Sequence, residues 1–563
     1  MYKFSTSSRL EIIKPINSPL IDLVKPIIRH KALEKIKTKL SSNITTEIRT
    51  SGKVANPKIL VEQSLAYTVF SFFIITPPAI VFGLYFETVF FYLLVVPLSF
   101  LLWPAVKLKM VRSERNATIE DEIAFFAVYS CVMQNVGRMI YDSTIQLIGR
   151  KVFPLIENEG RMLKRNVVLF GMDQITALNM LAISHPNTQF RNLLLGYVSI
   201  QKSGGNLNQY LERRCDEFFG ETKFRFFRYA AHAEIIAEVT LILLTMLPLL
   251  LVMSSFLMSS ESLLAITKIS FILVPAITIM LILAISNIQP KTHNVVGFSK
   301  ISVIASIVAG MAAFFALQQV WLVFAVTIFV AAFVNYVLVS RQFTEITMLE
   351  RALPDFFRDI TEYRKIGIAI PNAITRLSNE RTYNWVFNSV LDTISSKIMH
   401  GASLTNAVST VNVRSWYTRI SFFVLEKIVE SGGGTPQILE QITDFFSKIN
   451  RAKSEMIGRV RVFSFVAYLS PLLMIWSVQA MKDMLEKIGP QYTSLMNGLQ
   501  TNMTVSDEYL QLVNLLVVIS SLCIGLIMSK LSYFTLKNTL VVSIILFVTI
   551  FSIYAIPFFP SLI

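Results

Sequence analysis

Charge-free apolar stretches punctuate a chain that elsewhere carries charged and polar residues at helical spacing. No Asp, Glu, Lys or Arg occurs between Glu62 and Glu87, Glu87 and Lys107, Glu238 and Glu261, or Lys268 and Lys291. The same holds from Lys300 to Arg341, a double-length run broken at Gln318-Gln319, from Arg461 to Lys482, from Glu508 to Lys530, and from Lys537 to Ile563. Each is near the roughly 20 residues that a membrane-spanning helix needs, the run from Lys300 counting twice. The pattern therefore predicts an all-α polytopic membrane protein with about nine transmembrane helices. Pro77-Pro78 and the short turn at Glu87-Thr88 make the first pair a kinked hairpin.

Between the apolar runs the period is also helical. Phe125, Tyr129, Val132 and Val136 form one stripe, and Asn135-Val136-Gly137 ends that helix in the way glycine commonly does. The boundaries that follow are a basic N-terminal segment (1–64), a transmembrane hairpin (65–106), a helical region (107–237), four spans (238–341), a second helical region (342–461) and three spans (462–563). In 1–64, Leu20, Val24, Ile27, Leu33, Ile36 and Leu40 recur at helical spacing among Lys31, Lys35, Lys37 and Lys39, with a break near Pro26. Such a helix lies on anionic lipid or holds a partner protein. The segment lacks an apolar core, so no cleavable signal is expected and the first span serves as its own insertion signal.

The two helical regions are related to each other. Ser203, Gln209, Leu211, Glu212, Asp216 and Phe218 recur as Ser431, Gln437, Leu439, Glu440, Asp444 and Phe446, at 431 − 203 = 228. Upstream, Gly137, Ile140, Gly171 and Ala177 recur as Gly367, Ile370, Gly401 and Ala407, at 367 − 137 = 230. A fixed offset over this length, with a two-residue indel, identifies a duplicated domain rather than a solenoid repeat.

Composition supports the membrane reading: of 563 residues, 53% are hydrophobic and only 16% charged, against about 25% in soluble proteins. The net charge of +15 belongs outside the spans. With both helical regions placed in the cytoplasm, the links 291–300 and 529–537 also lie inside and are basic. The turns at Glu87, 261–268 and Gln318-Gln319 and the loop 482–508 lie outside, without a basic excess. This predicts a multi-pass protein of the cell membrane with its N-terminus inside and its C-terminus outside. Asn502-Met503-Thr504 in the outer loop is then a glycosylation acceptor, whereas the triplets at Asn43 and Asn116 face inward.

Catalytic and cofactor patterns are missing from the sequence. Cys131, Cys215 and Cys523 form no metal or disulfide spacing, and His30, His185, His232, His293 and His400 are scattered. Neither nucleotide-binding glycine motif occurs, and the spans carry no ionisable residue deep inside. The expectation is no enzyme, no cofactor, no metal and no nucleic acid. A transporter or permease component remains the alternative, although the midplane polar groups it would need are not evident.

Two helical cytoplasmic domains, each with a Gly-x-x-Ile turn, a Gly-x-x-x-x-x-Ala helix start and a terminal Ser-Gly-Gly…Leu-Glu…Asp…Phe segment leading into spans, resemble the type II secretion system F family. The nine spans, arranged two, four and three, look like archaeal members that assemble archaella or adhesive pili. That resemblance covers nearly everything from Leu65 onward. It implies a non-enzymatic platform on which a cytoplasmic hexameric secretion ATPase docks while the spans gather pilin- or archaellin-like subunits; archaellum or pilus, and monomer or homodimer, stay open. The candidate ATPase contacts are the basic residues after each turn, Arg213, Arg214, Lys223 and Arg225 in the first copy and Lys448, Arg451, Lys453 and Arg459 in the second, together with Gly434. These arginines and lysines also serve topology, since a basic flank suits the cytoplasmic end of any span. The turns themselves are Ser203-Gly204-Gly205 and Ser431-Gly432-Gly433, with a left-handed glycine expected after each helix.

Overall fold

The computed structural model describes residues 95–254, 260–290, 293–297, 299–317, 319–432, 436–495 and 507–555, with Ile48, Pro57 and most of 59–72 besides. The predicted helix of 20–40, the turn of the first hairpin, Gly433, Gly434 and Asn502 lie outside these residues. Among the described residues every regular element is a helix.

One compact unit comprises residues up to Thr222 together with a stretch beginning at Phe423. It holds α1 (Val95–Gln134), α2 (Ile140–Gln146), α3 (Pro154–Phe170), α4 (Gln174–Ser184), α5 (Thr188–Ser203) and the first turns of α6 (Leu207–Ser254). Its core is aromatic: Phe126 packs on Phe190 at 6.1 Å, and Tyr129 meets Phe423 at 5.3 Å and Phe153 at 6.5 Å. Buried carboxylates serve helix ends. Phe153 gives α3 no side-chain cap, and the Glu122 carboxylate instead accepts from the backbone N–H groups of Leu155 (3.2 Å) and Ile156 (3.0 Å).

Beside it, Arg115 grips Glu159 with two bonds, Nε to Oε1 at 2.8 Å and Nη2 to Oε2 at 2.6 Å. Burial alone would raise the Glu159 pKa, but Arg115, with His185 adding to it, outweighs that and brings the carboxyl down to about 2. His185 Nδ1 accepts from the Asn187 N–H at 3.0 Å, which assigns the ring proton to Nε2, 3.7 Å from Glu159.

The second unit comprises Lys223–Phe422 and Thr435–Ile563. It contains the remainder of α6, α7 (Ser260–Ile288), α8 (Lys300–Ala316), α9 (Val320–Lys365), α10 (Ile370–Glu380), α11 (Trp385–Met399), α12 (Leu404–Ser409), the start of α13 (Trp416–Glu430), α14 (Pro436–Leu495), α15 (Asp507–Tyr533) and α16 (Leu540–Ala555). The polar half of α9 packs with α10–α14 around Phe356, Phe357, Phe387, Phe422 and Phe446, with Phe356–Phe387 at 5.1 Å and Phe357–Phe446 at 5.6 Å.

The offsets read in the sequence recur among the helix starts. Helices α2 and α10 start at 370 − 140 = 230, α4 and α12 at 404 − 174 = 230, α5 and α13 at 416 − 188 = 228, and α6 and α14 at 436 − 207 = 229. Apolar positions matched in sequence are matched in burial: Ile140 and Ile370, Ala177 and Ala407, Leu211 and Leu439, and Phe218 and Phe446 are all core residues. Three glycine pairs, Gly137/Gly367, Gly171/Gly401 and Gly204/Gly432, all have positive φ, from +65° to +91°. Left-handed backbone costs other L-residues roughly 1–2 kcal/mol, which accounts for glycine at both members of each pair.

Among the described residues five helices are long and apolar enough to cross a membrane: Leu207–Met246, Ile269–Ile288, Val320–Lys365, Pro436–Ala480 and Gln511–Tyr533. The break predicted at Gln318-Gln319 falls between α8 and α9, but α8 and α16, at 17 and 16 described residues, are shorter apolar helices. Two thirds (67%) of the apolar window of α15 is buried, against 22–39% for the other four. Helix α15 is thus the packed centre of the spans, while Ile272, Met280, Phe315, Phe465 and Phe551 on α7, α8, α14 and α16 are exposed, as a lipid-facing surface requires. The structure departs from expectation at one span end. Helix α14 continues past Lys482 to Leu495, because Met484, Leu485, Glu486 and Lys487 are good helix formers.

Candidate functional site

The two Ser-Gly turns share local chemistry. Helix α5 ends at Gly204 (φ +72°), whose N–H bonds the Ile200 carbonyl, and the Gly205 N–H reaches the same oxygen at 3.1 Å. In the second copy the Gly432 N–H bonds the Val429 carbonyl at 3.1 Å, with φ +91°. Each serine hydroxyl turns back on its own helix, Ser203 Oγ donating to Ile200 O (3.2 Å) and Ser431 Oγ to Ile428 O (2.8 Å). A side chain at Gly204 or Gly432 would enter open space, so backbone conformation alone demands glycine there. Asn206 then caps α6, its Oδ1 accepting from the Gln209 N–H at 3.1 Å, and α14 opens on Pro436, the favoured first helical residue.

From these turns α6 runs 48 residues and α14 60 residues without interruption, each into an apolar span. At about 1.5 Å per residue they are rods of about 70 and 90 Å. In each copy the helix that follows the motif in sequence therefore also contains an apolar stretch long enough to cross a membrane.

The structure sorts the basic residues. Arg213 is exposed, and Arg214 is half-buried, joining Glu217 at 2.5 Å and the hydroxyl of Tyr210, which itself donates to Leu193 O at 3.0 Å. Lys223 lies 5.8 Å from the Phe227 ring, and Arg225 is half-buried. Lys448 pairs with Asp444 and Arg451 with Glu455 one turn away, and Arg459 reaches Glu234 at 3.1 Å. Exposed pairs of this kind contribute little to stability. The Arg451 side chain keeps 81% of its surface free, so its charge is presented outward.

Lys453 is different, because its side chain is only 18% exposed and its ammonium lies 2.7 Å from Glu350 and 4.8 Å from the centre of the Tyr417 ring. Glu350 also accepts from Ser415 Oγ at 3.2 Å, and its backbone carbonyl accepts from Asn450 Nδ2 at 2.9 Å. Lys453 holds α14 to α9 inside the second bundle. This lock was missed in the sequence, yet a signal existed. Glu120 and Glu350 match at 350 − 120 = 230, and Asn187 and Ser415 at 415 − 187 = 228. In the first copy Asn187 Nδ2 donates to Glu120 Oε1 at 3.2 Å, while its Oδ1 caps Phe190 N at 2.8 Å. Each copy thus ties an acid on its leading helix to the residue capping α5 or α13.

Burial disposes of two cysteines as reactive groups. The Cys131 thiol is pushed up to about 12 and Cys215 well above its usual value, mainly by burial.

A helical membrane protein whose long helices carry apolar spans is the class that the fold defines. The family model of Type II secretion system (T2SS), protein F matches residues 141–255, from α2 through the end of α6, and supports that family for this part of the chain. No curated protein and no solved structure matches the chain.

Proposed function

We propose that the protein is the membrane platform of a type IV filament assembly system, an archaellum or an adhesive pilus. On this reading it docks a cytoplasmic hexameric secretion ATPase and couples it to the insertion of pilin- or archaellin-like subunits. It is a multi-pass protein of the cell membrane with both bundles in the cytoplasm, and it acts without a catalytic centre or cofactor of its own. The observation that carries the reading is the position of the family match, which covers the first Ser-Gly turn together with the rod that leaves it for the membrane. The helix that follows the first turn continues into an apolar stretch long enough to cross a membrane, which supports a part anchored in the bilayer. The outward charges of Arg213, Lys448 and Arg451 suit an acidic surface on the ATPase and would speed its docking.

The test is deletion of the gene in its host, followed by complementation. Wild-type protein should restore surface filaments and retain the secretion ATPase at the membrane. Filaments and membrane-bound ATPase in the deletion strain at wild-type levels would refute the reading.

A further inference from the structure

Helix α13 is not capped by its own neighbours alone. The first N–H groups of any helix lack partners within it, and here the Trp416 N–H donates to Asn294 Oδ1 at 2.8 Å, 122 residues earlier in the chain. Asn294 belongs to residues 293–297, between the spans α7 and α8. The attachment is repeated next door, where the Val295 N–H donates to Arg414 O at 3.1 Å and the His293 ring stands edge-on to Trp416 at 5.2 Å. The Gly297 N–H donates to Gln342 Oε1 at 3.0 Å, on α9.

The other side of the same segment is held by a different span link. Lys537 Nζ donates to Val296 O at 2.6 Å. Lys537 lies between α15 and α16, and its own carbonyl accepts from Asn335 Nδ2 of α9 at 2.9 Å. In the same link Gln289 Nε2, at the end of α7, donates to Phe534 O at 2.6 Å, and Tyr229 of α6 stacks on the Phe534 ring at 5.1 Å. Phe534 holds a left-handed backbone, φ +58°, that a non-glycine residue keeps only when its surroundings impose it. In the first copy of the bundle the helix equivalent to α13 is capped by its own Asn187.

We propose that residues 293–297 are a strap that joins the start of α13 in the second bundle to the α15–α16 link, so that a displacement of either is felt at the other. The strap is short and bonded on both sides, three contacts toward 414–416 and one toward 537, and it lies where the bundle gives way to the spans. Its use in driving subunit insertion rests on the platform reading, but the strap itself is tested with no partner present.

The experiment is hydrogen exchange on the full chain in lipid nanodiscs, comparing wild type with Asn294→Ala, Lys537→Met and Lys537→Arg. Losing one hydrogen bond should speed exchange of the segment it protects by roughly two- to tenfold. Lys537→Met does not touch α13, yet it should speed exchange at 416–420. Asn294→Ala should in turn speed exchange at 534–540, since coupling between two sites is reciprocal. Lys537→Arg, which keeps a donor, should behave as wild type. Variants that loosen only their own surroundings, with the distant segment unchanged, would overturn the strap. General loosening of α4 and α5 as well would mark a variant as misfolded; the comparison then passes to Lys537→Gln, and its failure to reach 416–420 would overturn the strap equally.

Discussion

Arg115 and Glu159 are almost wholly buried, at 7% and 2% side-chain exposure, so their pairing is held without solvent screening. Removing one partner strands a buried charge, and Arg115→Met should destabilise the first bundle by about 3–5 kcal/mol. The double variant Arg115→Met/Glu159→Leu should recover most of that loss, as read from thermal melts in detergent. The pair also sets an acid limit. The Glu159 pKa in the fold, about 2, lies below its ordinary value, so its stabilisation is fully present above about pH 4.5 and is lost as pH falls toward 2. Glu159→Gln should flatten the melting curve over that window. A second contrast separates lock from surface. Lys453→Met should lower stability by about 2–4 kcal/mol, because it leaves Glu350 buried without its cation, whereas Arg451→Ala should change it by less than about 0.5 kcal/mol.

Glycine turns delimit the elements, and they respond to backbone geometry rather than to packing. Gly432→Ala meets no atom within 4 Å, so its cost should be the left-handed backbone alone, roughly 1–2 kcal/mol, with the fold kept. Gly196→Ala is the opposite case, since its Cβ would fall 2.2 Å from the Tyr210 hydroxyl and pry α5 from α6. Thermal melts should rank Gly196→Ala as the more damaging. Much of this level was legible in the sequence: the helix ends at Gly137, Gly204 and Gly432, and the break near Gln318-Gln319. These are local rules, decided by residues within one turn of each other. What could not be read was long-range: Asn294 capping α13, Glu122 capping α3 and Lys453 gripping Glu350 join residues at least 33 positions apart. The basic cluster looked uniform for the same reason, since sequence spacing does not distinguish a lysine buried against an acid from an arginine in solvent.

At the scale of the whole molecule the proposed platform keeps its bundles on the cytoplasmic side of the membrane. Single cysteines at Ser203 and Ser431 should then be shielded from an impermeant thiol reagent in intact cells, and one at Ser494 should react; labelling of Ser203 or Ser431 would reverse the topology. Cys131 and Cys215, buried with raised pKa, should contribute no background. The central claim, docking of a secretion ATPase through exposed basic residues of the chain, is tested most directly by binding the purified hexamer to the full chain in nanodiscs at several salt concentrations. Wild-type protein should bind, and Arg213→Glu/Lys448→Glu/Arg451→Glu, which spares the Lys453 lock, should weaken binding at least about tenfold and flatten its salt dependence. Absence of binding by the wild type, or equal affinity and salt dependence in the folded triple variant, would contradict the claim.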